Sequence, residues 1–204
     1  MTLSRPTGTV RTGAGGALPG VLATGALDLP QAGVSWLRVD LSVDTAHDRI
    51  ELGLYPASKL AGTPAGETIT VALGEAGDDS DVLTGRVAGL HADPAAPVLV
   101  AFAPSRALSW HRVGRAYLRQ TVADVVGDLL GDAGVDAGDI DAPQSLAAYH
   151  VDARRPVWGH LHALARLVGA QVTSRADGAV SFGPAPGATP AGGLGAVAAA
   201  AGAA

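Results

Sequence analysis

Between Gln120 and Phe182 the apolar residues follow a helical period in two runs and then a strand period, and this order dictates a mixed lobe. In QTVADVVGDLLGDAG, Val122, Val125, Val126, Leu129, Leu130 and Ala133 recur at i, i+3, i+4, i+7, i+8 and i+11, the stripe of an amphipathic helix about three turns long. Thr121 is the N-cap, Asp124 stands in the capping-box position and favours the helix dipole, and Gly134 supplies the stop. In RPVWGHLHALARLVGA, Pro156 suits the first turn, where its missing N–H costs nothing. Val157, Leu161, Leu164, Ala165 and Val168 form one face before Gly169 ends the run. Gln171 to Arg175 and Ala179 to Phe182 then read as a hairpin turning at Asp177 and Gly178, with Val180 and Phe182 on one side. The unit reads helix, loop, short strand, helix, hairpin. Burying about ten apolar side chains at roughly 1.5–3 kcal/mol each makes it a compact lobe once the entropy of ordering is set against it.

Upstream the period is two. Leu37, Val39, Leu41 and Val43 face one way and Trp36, Arg38, Asp40 and Ser42 the other; a turn at Thr45 to Asp48 leads to Ile50, Leu52 and Leu54. After a loop from Pro56 to Gly66, Ile69, Val71 and Leu73 alternate, and Gly74 to Asp81, with four carboxylates among glycines, reads as a polar hairpin tip. Val82 to Leu90 is a long strand with Gly85 and Gly89 as bulge or close-approach positions. His91 to Pro97 turns, and Val98 to Phe102 is a continuous apolar run suited to a strand buried on both sides. Five strands at short spacing predict an antiparallel barrel or sandwich.

The expected organisation is α+β: an irregular segment over 1–31, a β-domain over 32–105, a hinge and α/β lobe of two helices and a hairpin over 106–183, and a flexible Gly/Ala/Pro-rich tail over 184–204. Pro104 to Arg119 reads as the hinge between the β-domain and the lobe. A formal charge of −5 argues against a dedicated nucleic-acid binder, and the absence of cysteine excludes disulfides, thiolate metal sites and a cysteine nucleophile. No run approaches the ~18 apolar residues of a membrane span, and MTLSRPTGTV has no apolar signal core, so cytoplasmic synthesis is expected.

Chemistry-bearing clusters are few. Arg106, His111, Arg112, Arg115 and Arg119 form the densest basic stretch; lining a channel or meeting phosphate is one reading, a solvated strand or an acidic subunit contact the better one, with the contact preferred. His160 and His162 point about 200° apart on a helix, so they do not share one ion even with His150 or Asp152 nearby. Asp132, Asp136, Asp139 and Asp141 lack calcium-loop spacing. Ser145, His150 and Asp152 lie close in sequence, but no nucleophile elbow accompanies them, and chance proximity is the better account. Trp36, Trp110 and Trp158 read as core or interface anchors rather than a sugar-binding row. The candidate interface is therefore Arg106, Trp110, Arg112, Arg115, Arg119 and Trp158, with no catalytic, cofactor or metal residues assigned.

The order TVADVVGDLLGDAGV, then AYHVDARRPVWGHLHALARLVGAQV, then DGAVSFGP resembles the hub proteins of contractile tails: phage late control protein D, the VgrG proteins of type VI secretion, and their relatives in extracellular injection systems. Trp158, Leu164, Ala165, Gly169 and the Asp177-Gly178 turn occupy that family's positions, and VLTGRVAGL resembles its strand with a glycine between apolar pairs. The resemblance covers about two thirds of the chain. It implies a tail-tube-like antiparallel β-barrel followed by the lobe, and a structural, non-enzymatic subunit joining tail tube to spike. It further implies tube, spike and baseplate partners, a homotrimer, no cofactor, and assembly into a phage-tail-like particle. The family usually continues into a second tube-like domain, whereas the recognisable part here ends at Gly183, so three copies would give three such domains and the copy number stays open. The alternatives are a surface- or carbohydrate-binding module, which exposed tryptophans in one groove would favour, and an enzyme, which would need polar residues converging in one pocket.

Overall fold

Apolar alternation builds one curled sheet and helical periodicity builds the lobe packed beside it. The computed structural model describes residues 6–13, 27–75, 78–91 and 96–185. Val21, Leu22 and the tail from residue 186 lie outside the described residues, as does the middle of the expected turn at 92–95.

The sheet strands are β1 (Pro6–Thr12), β2 (Leu27–Asp28), β3 (Val34–Asp40), β4 (Arg49–Leu54), β5 (Thr68–Glu75), β6 (Asp78–His91) and β7 (Val98–Phe102). They pair antiparallel in the order β2-β1-β5-β6-β7-β4-β3. One face carries Ile50, Leu52, Ile69, Val71, Leu83, Val87, Leu99 and Ala101, which gather with Val10 and Leu60 into an apolar cluster. The ladder has two ends, β2 and β3, and no hydrogen-bonded closure joins them among the described residues. Residues 29–33 nevertheless carry the chain directly from one end to the other, with the Leu29 N–H donating to the Gly8 carbonyl and the Val34 N–H to that of Leu29. The sheet is thus curled with a seam, and the expected barrel is not closed by strand pairing.

Several local expectations change. The segment expected to be irregular before one short strand contributes β1 and β2; Thr and Val suit a strand, and pairing along all of β1 with β5 settles the conformation. Within the expected acidic hairpin tip, Gly74, Glu75 and Asp78 to Asp81 are strand, since β5 and β6 stay paired out to Glu75 and Asp78. In β7, Leu99 and Ala101 are buried while Val98, Val100 and Phe102 are only half-buried, so the run is not enclosed on both sides. Gly85 is a close approach, because a Cβ there would lie 3.0 Å from the Phe102 carbonyl oxygen. The bulge next to Gly89 falls between Val87 and Gly89.

Beyond β7 the chain makes a 3-10 turn at Pro104–Ser109 and then β8 (Arg115–Thr121), so the expected hinge is largely ordered structure. There follow α1 (Val122–Asp132), β9 (Ala137–Ile140), β10 (Ser145–Val151), α2 (Val157–Val168), β11 (Gln171–Ser174) and β12 (Val180–Gly183). β8 pairs with β10, and β12 lies between β11 and, in parallel, β9. The two helices obey the sequence closely. Thr121 and Asp124 form a complete capping box, Gly134 and Gly169 have φ of +66° and +71°, and α2 begins one residue after Pro156. Val125, Val126, Leu129 and Leu130 of α1 meet Leu161, Leu164 and Phe182 in a second apolar cluster.

That cluster also takes Ala46 from the loop between β3 and β4, which ties lobe to sheet. Ser105 Oγ donates to the Ala46 carbonyl at 3.3 Å, Ser174 Oγ to Ser105 Oγ at 3.0 Å, and the Val157 N–H to the His111 carbonyl at 2.9 Å.

Candidate functional site

Of the six residues singled out from sequence, the structure brings two into one surface. Arg106, in the turn after β7, lays its guanidinium 3.9 Å from the ring centre of Phe102 and 5.0 Å from that of Trp110. Stacking on two aromatic faces orients the cation without neutralising it. Trp110 is 54% exposed, so this surface presents apolar area as well as charge. Arg112 lies beside it, donating to the Trp110 carbonyl at 3.3 Å.

Strand register adds residues that sequence inspection missed. Phe102 pairs with Arg86 on β6 and with Arg49 on β4, and Arg49 pairs in turn with Asp40 on β3. Directly paired residues share a face, so this row crosses four strands on the side away from the apolar cluster. Arg49 is already engaged by Asp40 at 2.9 Å and Glu51 at 3.3 Å. Asp40 is held below the usual carboxylate range, first by Arg49 and then by Arg38. Arg86 and Arg106 have no carboxylate partner within ion-pairing distance among the described residues. His47 completes the rim with its ring edge-on to Phe102 at 6.4 Å. No local spacing signals this convergence; it exists only once β4, β6 and β7 are aligned.

Arg115 and Trp158 have partners within the fold. Arg115 reaches α1, pairing with Asp132 at 3.1 Å and Asp128 at 3.6 Å and donating to the Tyr117 hydroxyl. The contact with Tyr117, then that with Asp132, raises the Arg115 pKa above its usual value. Arg119 is exposed within β8 at φ +54°, a backbone region uncommon for a residue other than glycine. Trp158 is half-buried, donates to the Asp44 carbonyl at 3.4 Å and packs on His162 at 4.4 Å between ring centres, which makes it an internal anchor between lobe and sheet. Trp36 lies over Gly53, its ring filling the space a Cβ would need. With Trp110 stacked on Arg106 as well, each tryptophan has a different internal partner.

The chemical arrangements weighed earlier stay apart. Ser145 and His150 sit at opposite ends of β10, five residues or roughly 16 Å apart along an extended chain and on opposite faces. Asp152 is clamped by Arg154 at 2.6 Å, which, with further hydrogen bonding from the Arg154 backbone, lowers its pKa to about 2. His160 is buried against Tyr149 while His162 turns to Trp158. Asp139 is paired with Arg175 at 2.7 Å at the edge of a recess of about 250 Å³ on the β9/β12/β11 sheet. Among the described residues no three His, Asp or Glu side chains are grouped to hold a metal, and no helix is long and apolar enough to cross a membrane.

No protein-family model and no curated protein sequence matches the chain. Its fold does match solved structures. The 43 kDa tail protein of prophage MuSo2 from Shewanella oneidensis is 13% identical, with a TM-score of 0.64 over 88% of this chain and 53% of that one. The tail protein from Neisseria meningitidis MC58 is 17% identical, with a TM-score of 0.65 over 91% of this chain and 53% of that one. The chain therefore shares its fold with phage tail proteins and spans about half their length.

Proposed function

We propose that this chain is a structural, non-catalytic subunit of a phage-like contractile tail, serving in the baseplate hub that joins the tail tube to the spike. The observation that carries the reading is the fold shared with two tail proteins over about nine tenths of the chain. The resemblance of the ordered helix, helix and hairpin to late control protein D and VgrG proteins supports the hub in particular. In this reading the curled sheet, with residues 32–105 as its main body, is the tube-like domain and closes as a barrel on assembly, while 106–183 forms the lobe on its flank. The ends at β2 and β3, the aromatic and arginine surface around Phe102, and the exposed apolar residues Leu41, Val43 and Leu118 are what a subunit surrounded by protein partners requires.

The partners are tube, spike and other baseplate proteins, the chain itself is a homotrimer, and the whole is carried in a tail-like particle. No nucleic acid, cofactor or metal enters the proposed role. Affinity capture of the chain from its native lysate, with partners identified by mass spectrometry, tests it. Recovery of tube, spike or baseplate proteins in fixed ratio is the expected result. Capture of the chain alone, or with cell-wall glycans only, would overturn the reading in favour of a surface-binding module.

A further inference from the structure

The sheet carries an arm whose charge complements the surface around Phe102. β7 pairs with β6 only from Arg86 onward, and the lobe's Gly178 approaches Thr84, so Asp78–Leu83 continues beyond both, roughly 20 Å of strand backed by β5 and β1. Along β5 the face that buries Ile69 and Val71 continues into Leu73, 39% exposed, and then into exposed Glu75. Across the ladder Glu75 stands directly opposite Asp78, and Leu73 opposite Ser80. Like charges directly opposed repel. The carboxylates of the other face are already engaged, Asp79 by the Thr7 hydroxyl and Asp81 by Arg11. Glu75 and Asp78 have no cation within ion-pairing distance among the described residues. The core face thus ends in an apolar side chain beside two unneutralised carboxylates.

We propose that this end of the arm, Leu73, Glu75 and Asp78, docks on the Arg86, Phe102, Arg106 and Trp110 surface of a second copy of the chain. The two surfaces match in kind: two guanidiniums lacking carboxylates beside exposed aromatic area, and two carboxylates lacking cations beside an exposed leucine. The overall charge of −5 disfavours a polyanion as occupant, whereas a short acidic element of a protein brings its charge locally. Arm and receiving surface are different parts of one subunit, so the contact is head-to-tail and forms a ring where the rotation between copies closes. The inference rests on the structural-subunit reading and specifies how copies of the subunit meet.

Sedimentation velocity of the full chain, in low and in high salt, tests it with two charge-reversed variants, R86E/R106E and E75R/D78R, each first checked for unchanged circular dichroism. The wild type is expected to self-associate with concentration and less so in high salt. Each variant alone, now presenting like charge to like charge, associates on the order of tenfold more weakly. An equimolar mixture of the two variants recovers pairwise association, because arm and receiving surface are opposite in charge wherever the two variants meet, although a closed ring of three would keep one like-charged contact. A wild type that stays monomeric, variants that associate like wild type, or a mixture that does not recover would each overturn the proposal. So would binding of a labelled single-stranded oligonucleotide that R86E/R106E abolishes and E75R/D78R leaves intact. In any of these cases, capture of tail proteins from lysate would still stand as support for the structural role.

Discussion

Tyr149 Oη lies 3.2 Å from Nδ1 of His160, and the other ring nitrogen of His160 lies 3.1 Å from the carbonyl oxygen of Asp152. A carbonyl only accepts, so Nε2 carries the proton and donates, which leaves Nδ1 to accept from the tyrosine hydroxyl. The pair fastens β10 to α2 across a site where His160 is 4% exposed. Tyr149→Phe removes the one donor to Nδ1 and leaves a buried acceptor unpaired, so a loss of about 1–3 kcal/mol is expected in urea unfolding. Restoring an apolar match with His160→Leu in the same chain should recover part of that loss.

The capping box of α1 predicts an acid-sensitive helix. Thr121 donates to the Asp124 carboxylate from its hydroxyl at 2.6 Å and its N–H at 3.0 Å, while the Asp124 N–H donates back at 3.1 Å. Hydrogen bonds from the Thr121 side chain first, and its backbone second, hold the Asp124 carboxyl below its usual range. A carboxyl with a depressed folded pKa gives stability that is present above the unfolded value near 3.9 and is lost as pH falls through the folded one. Thr121→Ala should cost roughly 0.5–2 kcal/mol at neutral pH. Asp124→Asn should leave a chain whose urea midpoint falls less than wild type between neutral pH and pH ~3.

His162 predicts a second pH dependence, at a different joint. Its ring packs on Trp158 where α2 meets the Asp44 loop, and its Nε2 is buried without a hydrogen-bond partner. Burial lowers its pKa; Asp44 opposes the shift, and Arg166 and Arg155 add to it. The native state therefore binds this proton less readily than the unfolded chain. The resulting stability is intact above the unfolded value near 6.5 and declines as pH falls from there to the depressed native value. His162→Gln should flatten that part of the profile, measured as urea midpoints between pH ~8 and ~5. An unchanged profile in the variant would remove His162 as the cause.

What the residues disclosed by themselves was whatever depends on neighbours in sequence. The stripe from Val122 to Leu130, its Thr121 and Asp124 cap, and the Gly169 stop all act within a few residues, and all appear as read. β8 was missed because, of RAYLRQT, only Tyr117 is buried; a ribbon with one face in solvent leaves no apolar alternation to see. β1 was missed because Val10 is its one apolar residue among threonines, and β5 supplies its pairing. Arg115 stands in the basic stretch that reads as an interface, yet folding brings Asp132 to it, whereas Arg86 gives no signal until register sets it beside Phe102. Long-range pairing thus decided which charges were spent inside the fold and which remained at the surface.

Gly178 predicts how strongly lobe and sheet depend on each other. It sits at φ +91° in the turn of the last hairpin, its N–H donating to the Arg175 carbonyl at 2.9 Å, and a Cβ there would lie 3.1 Å from Pro104. An alanine would meet two penalties: a backbone region disfavoured for L-residues by about 1–2 kcal/mol, and a methyl group pressed on the proline that begins the turn after β7. Relief by moving the hairpin would stretch the Ser174 to Ser105 hydrogen bond and draw Ser105 from Ala46, the residue that carries the sheet's loop into the lobe's core. Gly178→Ala should therefore lower stability by at least the backbone penalty and make unfolding less cooperative. With Trp36 and Trp110 replaced by Phe in the same background, Trp158, at the joint, would then report an earlier transition by fluorescence than circular dichroism reports for the whole chain. If both probes still coincide and the midpoint is unchanged, the turn has adjusted without transmitting strain, and Pro104 is not the point at which lobe and sheet are coupled.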